Sequence, residues 1–260
     1  MIDLLIRGAR VFDGSGAEEI VVDVAVAGGR IVCVAPKIAE PAGHVVDAGG
    51  LALMPGIVDS HTHFDAQITW DPTLSPSPAL GVTTAVIGNC GFTIAPCRPA
   101  DRELTMRNLT QVEGMSLDAL RAGIDWGFET FAEYMSQLRR RGSVVNVAAY
   151  VGHSSVRTYV MGAAAARRVA TADEIAQMQA LVRDAMHHGA VGFASSTSPA
   201  HNGEGGLPMP SRLAGDDEML ALIKAMGEAG KGVYMVTKGG QIPVAFLEDM
   251  AAQSGLLATV

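Results

Sequence analysis

The sequence predicts a mixed α/β protein, with a small β-sandwich segment in residues 1–52 and an incomplete (β/α) TIM-type barrel in residues 53–260. Three observations carry this prediction. The first segment contains short β patterns and no helical period. The remainder alternates apolar runs with amphipathic helices, as parallel βα units do. Polar residues able to bind a metal follow the first apolar run, where a barrel carries its chemistry.

The β segment is predicted from short runs bounded by turn residues. Strand patterns cover residues 4–9, 20–27 and 30–35, and glycine-rich turns separate them at 13–16 and 28–29. We interpret this segment as the N-terminal part of a small β-sandwich.

Five apolar, β-rich runs follow, and a sixth begins at the end of the sequence. They cover residues 51–58, 82–88, 144–151, 190–194, 233–236 and 256–260. One intervening helix is predicted from the capping box Thr171 to Glu174, and another starts near 216–218 and ends at Gly230. A doubly wound sheet also fits this alternation, but the glycine-rich phosphate loop is missing after the first barrel strand.

Composition excludes several classes of function. The net charge of −8, without a basic cluster to offset it, argues against nucleic acid and anionic membrane as partners. No apolar stretch reaches the roughly 18 residues of a membrane span, and Asp3 argues against a secretory signal. The odd number of cysteines, 3, favours a reducing, cytoplasmic location. Cys33 and Cys97 are expected to be small buried apolar residues.

His61 and His63 form a His-x-His pair directly after an apolar run that we expect to be a buried strand. The two-residue period of a strand places both imidazoles on one face, with Cα atoms roughly 6.5 to 7 Å apart. Two ring nitrogens at that spacing can share one zinc-type cation. The alternative is a pair of polar residues leaving a strand for a loop.

Residues 55–65, Pro-Gly-Ile-Val-Asp-Ser-His-Thr-His-Phe-Asp, resemble the first barrel strand of the amidohydrolase superfamily. Residues 81–92, which contain Gly-Asn-Cys-Gly-Phe, are similar to the second strand of its N-acyl-D-amino-acid deacylase (D-aminoacylase) branch. Further similarities lie at 112–115, 152–154 and 192–196, so the resemblance covers essentially the whole chain.

The resemblance implies a metal site made by His61, His63 and Cys90, since this branch uses a cysteine where most amidohydrolases use a carboxylated lysine. Zinc or another divalent metal is the implied cofactor, and a thiolate is a strong zinc ligand. For a lone cysteine such as Cys90, the alternative is a small buried apolar residue.

Two more residues are candidates for binding substrate. His153, in Gly-His-Ser, could orient a substrate carbonyl or act from behind the metal ligands, or it could be a capping histidine. Lys238 occupies the position of a metal-binding histidine in the family; we expect it to face the same cavity and to pair with a substrate carboxylate instead. His44 and His201 have no sequence context that indicates a role.

The implied function is hydrolysis of the amide bond of N-acyl-(D-)amino acids by a metal-activated water. The general-base aspartate of the family is expected beyond residue 260, so the 260-residue chain alone is expected to show no deacylase turnover. Because five strands and the start of a sixth leave one edge of the barrel unpaired, the chain is expected to be stable only with a complementary chain or by self-association. One alternative is a truncated or degenerate member without turnover. Another is a cyclic-amide hydrolase of the hydantoinase or dihydropyrimidinase type, although residues 190–196 lack the lysine that those enzymes use.

Overall fold

A computed structural model describes residues 1–240, 242–255 and 257–259, and it divides the chain into two compact units. The units are Met1–Ile57 and Val58–Val260. The boundary predicted between residues 52 and 53 lies slightly before this division.

The first unit is one five-stranded sheet. Its strands are β1 (Ile2–Val11), β2 (Ile20–Ala27), β3 (Arg30–Ala35), β4 (Ala42–Asp47) and β5 (Ala52–Leu53). They lie in the order β3-β2-β1-β4, with β5 also paired to β1. The three predicted strands are confirmed, whereas β4 was not predicted. The described residues of this unit form a single sheet, so the sandwich remains a prediction.

Two local features explain the hairpins of this sheet. Gly28 and Gly29 both have positive φ angles, 57° and 71°, which suits a tight turn between antiparallel β2 and β3. The buried Asp23 carboxylate accepts backbone N–H bonds from Gly8 and Ile38, both at 2.9 Å. It thereby ties the irregular middle of β1 to the segment after β3.

The second sheet contains six strands in the order β11-β10-β9-β8-β7-β6. They are β6 (Ile57–Asp59), β7 (Val82–Ile87), β8 (Asn146–Gly152), β9 (Gly192–Ser196), β10 (Val233–Thr237) and β11 (Leu257–Thr259). The pairs from β7 to β11 are all parallel. Parallel strands in sequence order place their carboxyl ends at one edge of the sheet, as the predicted barrel requires.

Seven helices connect these strands among the described residues. They are α1 (Arg102–Val112), α2 (Leu117–Gly123), α3 (Phe131–Arg141), α4 (His153–Met161), α5 (Ala172–His187), α6 (Asp216–Gly227) and α7 (Val244–Ser254). The predicted capping box is present at the start of α5, with Thr171 and Glu174 bonded reciprocally. On α6 the expected inward residues Met219, Leu222, Ile223 and Met226 are all buried.

The predicted strand 51–58 is wrong in two respects. It is two strands, because Pro55-Gly56 interrupts the run and proline lacks the N–H that a ladder needs. It is also not buried where it approaches the histidines, since Ile57 is 42% and Val58 59% exposed. The sixth run, 256–260, is a strand over Leu257–Thr259; residues 256 and 260 lie outside the described residues.

Candidate metal centre

His61 and His63 are placed by the segment that leaves β6. Between them, Thr62 donates from its backbone nitrogen and its hydroxyl to the Val86 carbonyl, at 3.1 and 2.7 Å. These two hydrogen bonds to β7 fix the backbone on either side of Thr62. The two imidazole rings lie 5.3 Å apart, so the predicted pairing of the histidines is present.

Cys90 is placed by a tight turn at the carboxyl end of β7. Gly88, Cys90 and Gly91 all have positive φ angles, of 86°, 57° and 74°. A side chain on either glycine would collide with backbone, because a Cβ on Gly88 would lie 2.7 Å from the Tyr150 carbonyl oxygen and one on Gly91 equally close to that of Ala194. For the non-glycine Cys90 such a backbone costs of order 1–3 kcal/mol, a cost that is often met at functional sites.

The three predicted ligands converge. Cys90 Sγ lies 3.4 Å from His61 Nε2 and 3.9 Å from His63 Nε2, and all three donor atoms lie within 4.8 Å of one another. Tetrahedral zinc with ordinary bond lengths separates a sulfur from a nitrogen ligand by about 3.5 Å. The set of two imidazoles and one thiol therefore fits a single zinc-type ion.

The neighbouring side chains suit a cation at this position. Glu113 Oε1 lies 3.0 Å from His63 Nδ1, which is close enough for an ion pair. The angles at these two atoms do not meet those of a hydrogen bond. It leaves Nε2 directed at Cys90, the arrangement of a carboxylate behind a metal-binding histidine. The Thr237 hydroxyl donates to Cys90 Sγ at 3.1 Å. Asp65, which is buried, accepts the Gly88 N–H at 2.9 Å and so supports the turn.

The electrostatic surroundings of His63 favour a positive charge, whereas burial disfavours charge on His61 and Asp65. Burial lowers the pKa of His63, but its contacts with Cys90 and Glu113 outweigh burial and raise that pKa to about 10. Burial raises the pKa of Asp65 to about 7 and lowers the pKa of His61. Surroundings that hold a proton on His63 would equally stabilise a metal cation.

Lys238 lies beside this group. It lines a cavity of about 490 Å³ together with His61, Asn89, Tyr150, Thr237 and neighbouring residues. The structure thus places Lys238 in the cavity shared with His61, at the end of β10, as the sequence predicts.

His153 lies elsewhere and is completely buried. Its Nδ1 is 2.8 Å from Ser195 Oγ and its Nε2 is 2.8 Å from Glu218 Oε1. Glu218 also pairs with Arg157, itself fully buried, and Arg157 donates to the Ala165 and Arg168 carbonyls at 3.2 and 2.9 Å. Both ring nitrogens of His153 thus have protein partners. A contact between His153 and substrate would require one ring nitrogen to give up its protein partner. The substrate-binding role of His153 therefore stays a prediction.

Sequence reasoning gave no site role to Glu113, His201 or Glu218. Glu218 served only as a helix-start signal, yet it is 1% exposed. Glu113 lies within the 112–115 similarity but was not assigned as a partner of His63. His201 follows β9, and its position after the carboxyl end of a parallel strand is a signal that could have identified it.

The other cysteines differ from each other. Cys97 is buried as predicted, and burial raises its pKa to about 11. The expectation for Cys33 is wrong, because it is exposed on β3. Strand β3 is exposed at nearly every position, so its apolar pattern does not mark a covered face.

None of the helices in the described part of the chain has the length and apolar character of a membrane-spanning segment.

The chain resembles D-aminoacylase of Alcaligenes xylosoxydans xylosoxydans, with 34% identity over 95% of this chain and 47% of that protein. It is 38% identical to N-acyl-D-aspartate deacylase of the same organism, over 88% of this chain and 42% of the relative. The chain spans about half the length of these relatives.

Solved structures agree with this similarity. A crystal structure of D-aminoacylase matches with a TM-score of 0.79 and 32% identity, over 99% of this chain and 51% of the other. N-acyl-D-glutamate deacylase from Bordetella bronchiseptica, complexed with zinc and a phosphonate inhibitor, matches with a TM-score of 0.78 and 28% identity, over 100% and 51%. The model of the amidohydrolase family matches residues 44–259. The chain belongs to the amidohydrolase family.

Proposed function

We propose that this protein hydrolyses the amide bond of N-acyl-D-amino acids at a metal site formed by His61, His63 and Cys90. The observation that supports this most is the convergence of three metal-ligand atoms within 4.8 Å at the carboxyl ends of β6 and β7. The names of the relatives support the substrate class, since three of them are D-aminoacylase and deacylases of N-acyl-D-aspartate and N-acyl-D-glutamate.

The side chains of this protein would hold the ion in the following way. His61 and His63 present Nε2, and Cys90 presents Sγ. Glu113 behind His63 fixes that ring and increases its basicity. The hydroxyl of Thr237 donates to Sγ at 3.1 Å and so helps to orient the sulfur. A divalent cation bound there supplies Lewis acidity toward an amide carbonyl and toward water.

Lys238 is the proposed partner of the substrate carboxylate. Its side chain is exposed and lines the cavity beside His61. An ammonium on a flexible stem is a suitable partner for a carboxylate, and a poor metal ligand while it stays protonated. The general base is assigned to none of the described residues; the aspartate implied by the resemblance remains an expectation.

Initial rates on matched enantiomers test this function. The zinc-loaded protein, supplied with a complementary chain that carries the general base, should hydrolyse N-acetyl-D-amino acids faster than their L forms, and a His61→Ala/His63→Ala variant should lose zinc and rate together. Lys238→Met should raise KM while zinc content stays unchanged, and the exposed Lys231→Met serves as the matched control.

Two other outcomes would replace this proposal. Hydrolysis of hydantoin or dihydrouracil in preference to N-acetyl-D-amino acids would favour the cyclic-amide alternative. Stoichiometric zinc without hydrolysis of either substrate class would favour a non-catalytic, metal-binding member of the family.

The free state of all three cysteines supports the reducing, cytoplasmic location that we propose for the protein.

A further inference from the structure

His201 lies one aromatic ring away from the metal centre. It is in the connection between β9 and α6, and its ring packs edge-to-face on Phe92 with 4.8 Å between ring centroids. Phe92 in turn stacks on His63, with centroids 6.3 Å apart and ring planes at 25°. His201 is therefore on the His63 side of the site, whereas Lys238 shares a cavity with His61.

The backbone around His201 is held in place. Its carbonyl accepts bonds from the Arg212 guanidinium at 3.1 Å and from the Met209 N–H at 3.2 Å. The same Nη1 atom of Arg212 also bonds the Asn202 side-chain oxygen. A side chain on so constrained a loop is pre-organised, which is what recognition of a small ligand requires.

The same connection is anchored to α1. Glu204 pairs with Arg107 at 2.7 Å, and its backbone N–H bonds the Asn108 side-chain oxygen at 3.1 Å. These contacts hold the outer part of the connection and limit its movement away from the site.

The hydrogen bonds of His201 leave one ring nitrogen available. Nδ1 lies 2.7 Å from Ser196 Oγ, which already accepts the Ser198 N–H at 3.2 Å. In the tautomer that we assign, the Ser196 hydroxyl donates to Nδ1 and Nε2 carries the ring proton. Among the described residues Nε2 has no hydrogen-bond partner, and the ring is only half-buried. His201 is outside the group of metal-ligand atoms, so its N–H is free for another ligand.

We propose that His201 recognises the side-chain carboxylate of an N-acyl-D-amino acid of the aspartate or glutamate type. This inference rests on the proposed function. With the α-carboxylate on Lys238, a second acceptor on the substrate would meet the Nε2–H on the His63 side. His63 and, to a smaller extent, Arg212 place positive charge near His201, with the Glu113 carboxylate opposing them. A charged acceptor strengthens a hydrogen bond. His201 is in this view a specificity-determining residue and not a metal ligand.

The test compares two ligands of equal size, N-acetyl-D-aspartate and N-acetyl-D-asparagine. Their Kd, or KM where hydrolysis occurs, is measured on the zinc-loaded 260-residue chain, on His201→Gln, and on the exposed control His188→Gln. The unmodified protein and the control should prefer the aspartate ligand by about tenfold or more, the ratio that 1.4 kcal/mol produces. His201→Gln should lose most of that preference while zinc content stays unchanged.

The outcomes separate this inference from the proposed function. If neither ligand is bound by a zinc-loaded protein, the proposed function fails. If both bind but the aspartate preference is absent, or if it survives in His201→Gln, the role of His201 is refuted. A loss of zinc in His201→Gln would also overturn it, since it would make His201 part of the metal centre.

Discussion

Two polar clusters lie at the carboxyl ends of the parallel strands, and they differ in how far their hydrogen bonds are satisfied. The metal centre of His61, His63 and Cys90 is partly open, and its donor atoms face one another. The buried cluster consists of Ser195, His153, Glu218 and Arg157, each at most 1% exposed. Apart from Arg157 Nε, its polar groups bond to one another and to backbone carbonyls.

The difference shows that position at a strand end does not by itself define a ligand site. A histidine with both nitrogens bonded inside the protein stabilises packing, because an exchange of partners would leave buried groups unpaired. In the metal centre the metal-ligand atoms face one another with nothing between them. Such an arrangement is stable only when these atoms share a proton or a cation. We therefore assign stability to the buried cluster and metal binding to the open one.

The largest expected effect is on stability in the buried cluster. Glu218→Gln leaves the charge of Arg157 buried without its counter-ion, and such a loss costs about 3–5 kcal/mol. Urea denaturation of the metal-free protein measures it. Asp217→Asn, one residue earlier and exposed, should change the free energy of unfolding by less than about 0.5 kcal/mol. Equal, small changes in both variants would show that the cluster does not stabilise the fold.

The metal ligands should show the opposite pattern. Cys90→Ala and His61→Ala/His63→Ala should weaken zinc binding by more than about 100-fold, because loss of a ligand exceeds the 10–100-fold effect of its supporting partners. Competition with a chelator of known affinity measures this. Cys97→Ala, at a buried cysteine outside the cluster, should retain zinc. Unchanged affinity in both ligand variants would disprove the site.

Glu113 tests whether the carboxylate behind His63 acts on the metal. Glu113→Gln keeps the shape of the side chain but removes its charge, and should reduce zinc affinity by about 10–100-fold. The same competition assay applies. Glu228→Gln, which breaks an exposed ion pair with Arg183, is the control and should keep full affinity. If the two variants bind zinc alike, Glu113 has no influence on the metal.

The smallest effect concerns the pH dependence of stability. Burial lowers the pKa of His153 in the folded protein, so the unfolded chain binds a proton more readily below about pH 6.5. The stabilising contribution is present above that pH and is lost as the pH falls, at up to about 1.4 kcal/mol per unit. Between pH 7 and 5.5, His153→Gln should show a shallower loss than the unmodified protein. His188→Gln should keep the full slope, and a slope shared by all three proteins would contradict the assignment.

Much of this architecture follows from local sequence signals. The capping box at Thr171, the inward stripe of α6 and the alternation of strands with helices are near-neighbour patterns, and the structure reproduces them. The convergence of the three candidate ligands was also predictable, because the His-x-His spacing pointed to His61 and His63 and the resemblance pointed to Cys90.

Contacts between distant segments were not predictable in this way. Glu218 looks like an ordinary acidic first-turn residue, and only its contacts with Arg157 and His153, 61 and 65 positions earlier, reveal a buried ion pair and a buried hydrogen bond. His201 approaches the metal centre through Phe92, far away in the sequence. The prediction for the 51–58 run is wrong for a different reason: Pro55-Gly56 divides the run, and this turn signal is visible in the sequence but was given less weight than the apolar composition.

The most direct test of the central claim is X-ray absorption spectroscopy at the zinc edge of the loaded protein. We predict one sulfur at about 2.3 Å and at least two imidazole nitrogens at about 2.0–2.1 Å around the ion. In Cys90→Ser the sulfur contribution should disappear while the imidazole contribution remains. A zinc shell without sulfur in the unmodified protein would contradict the assignment of Cys90, and with it the metal centre described above.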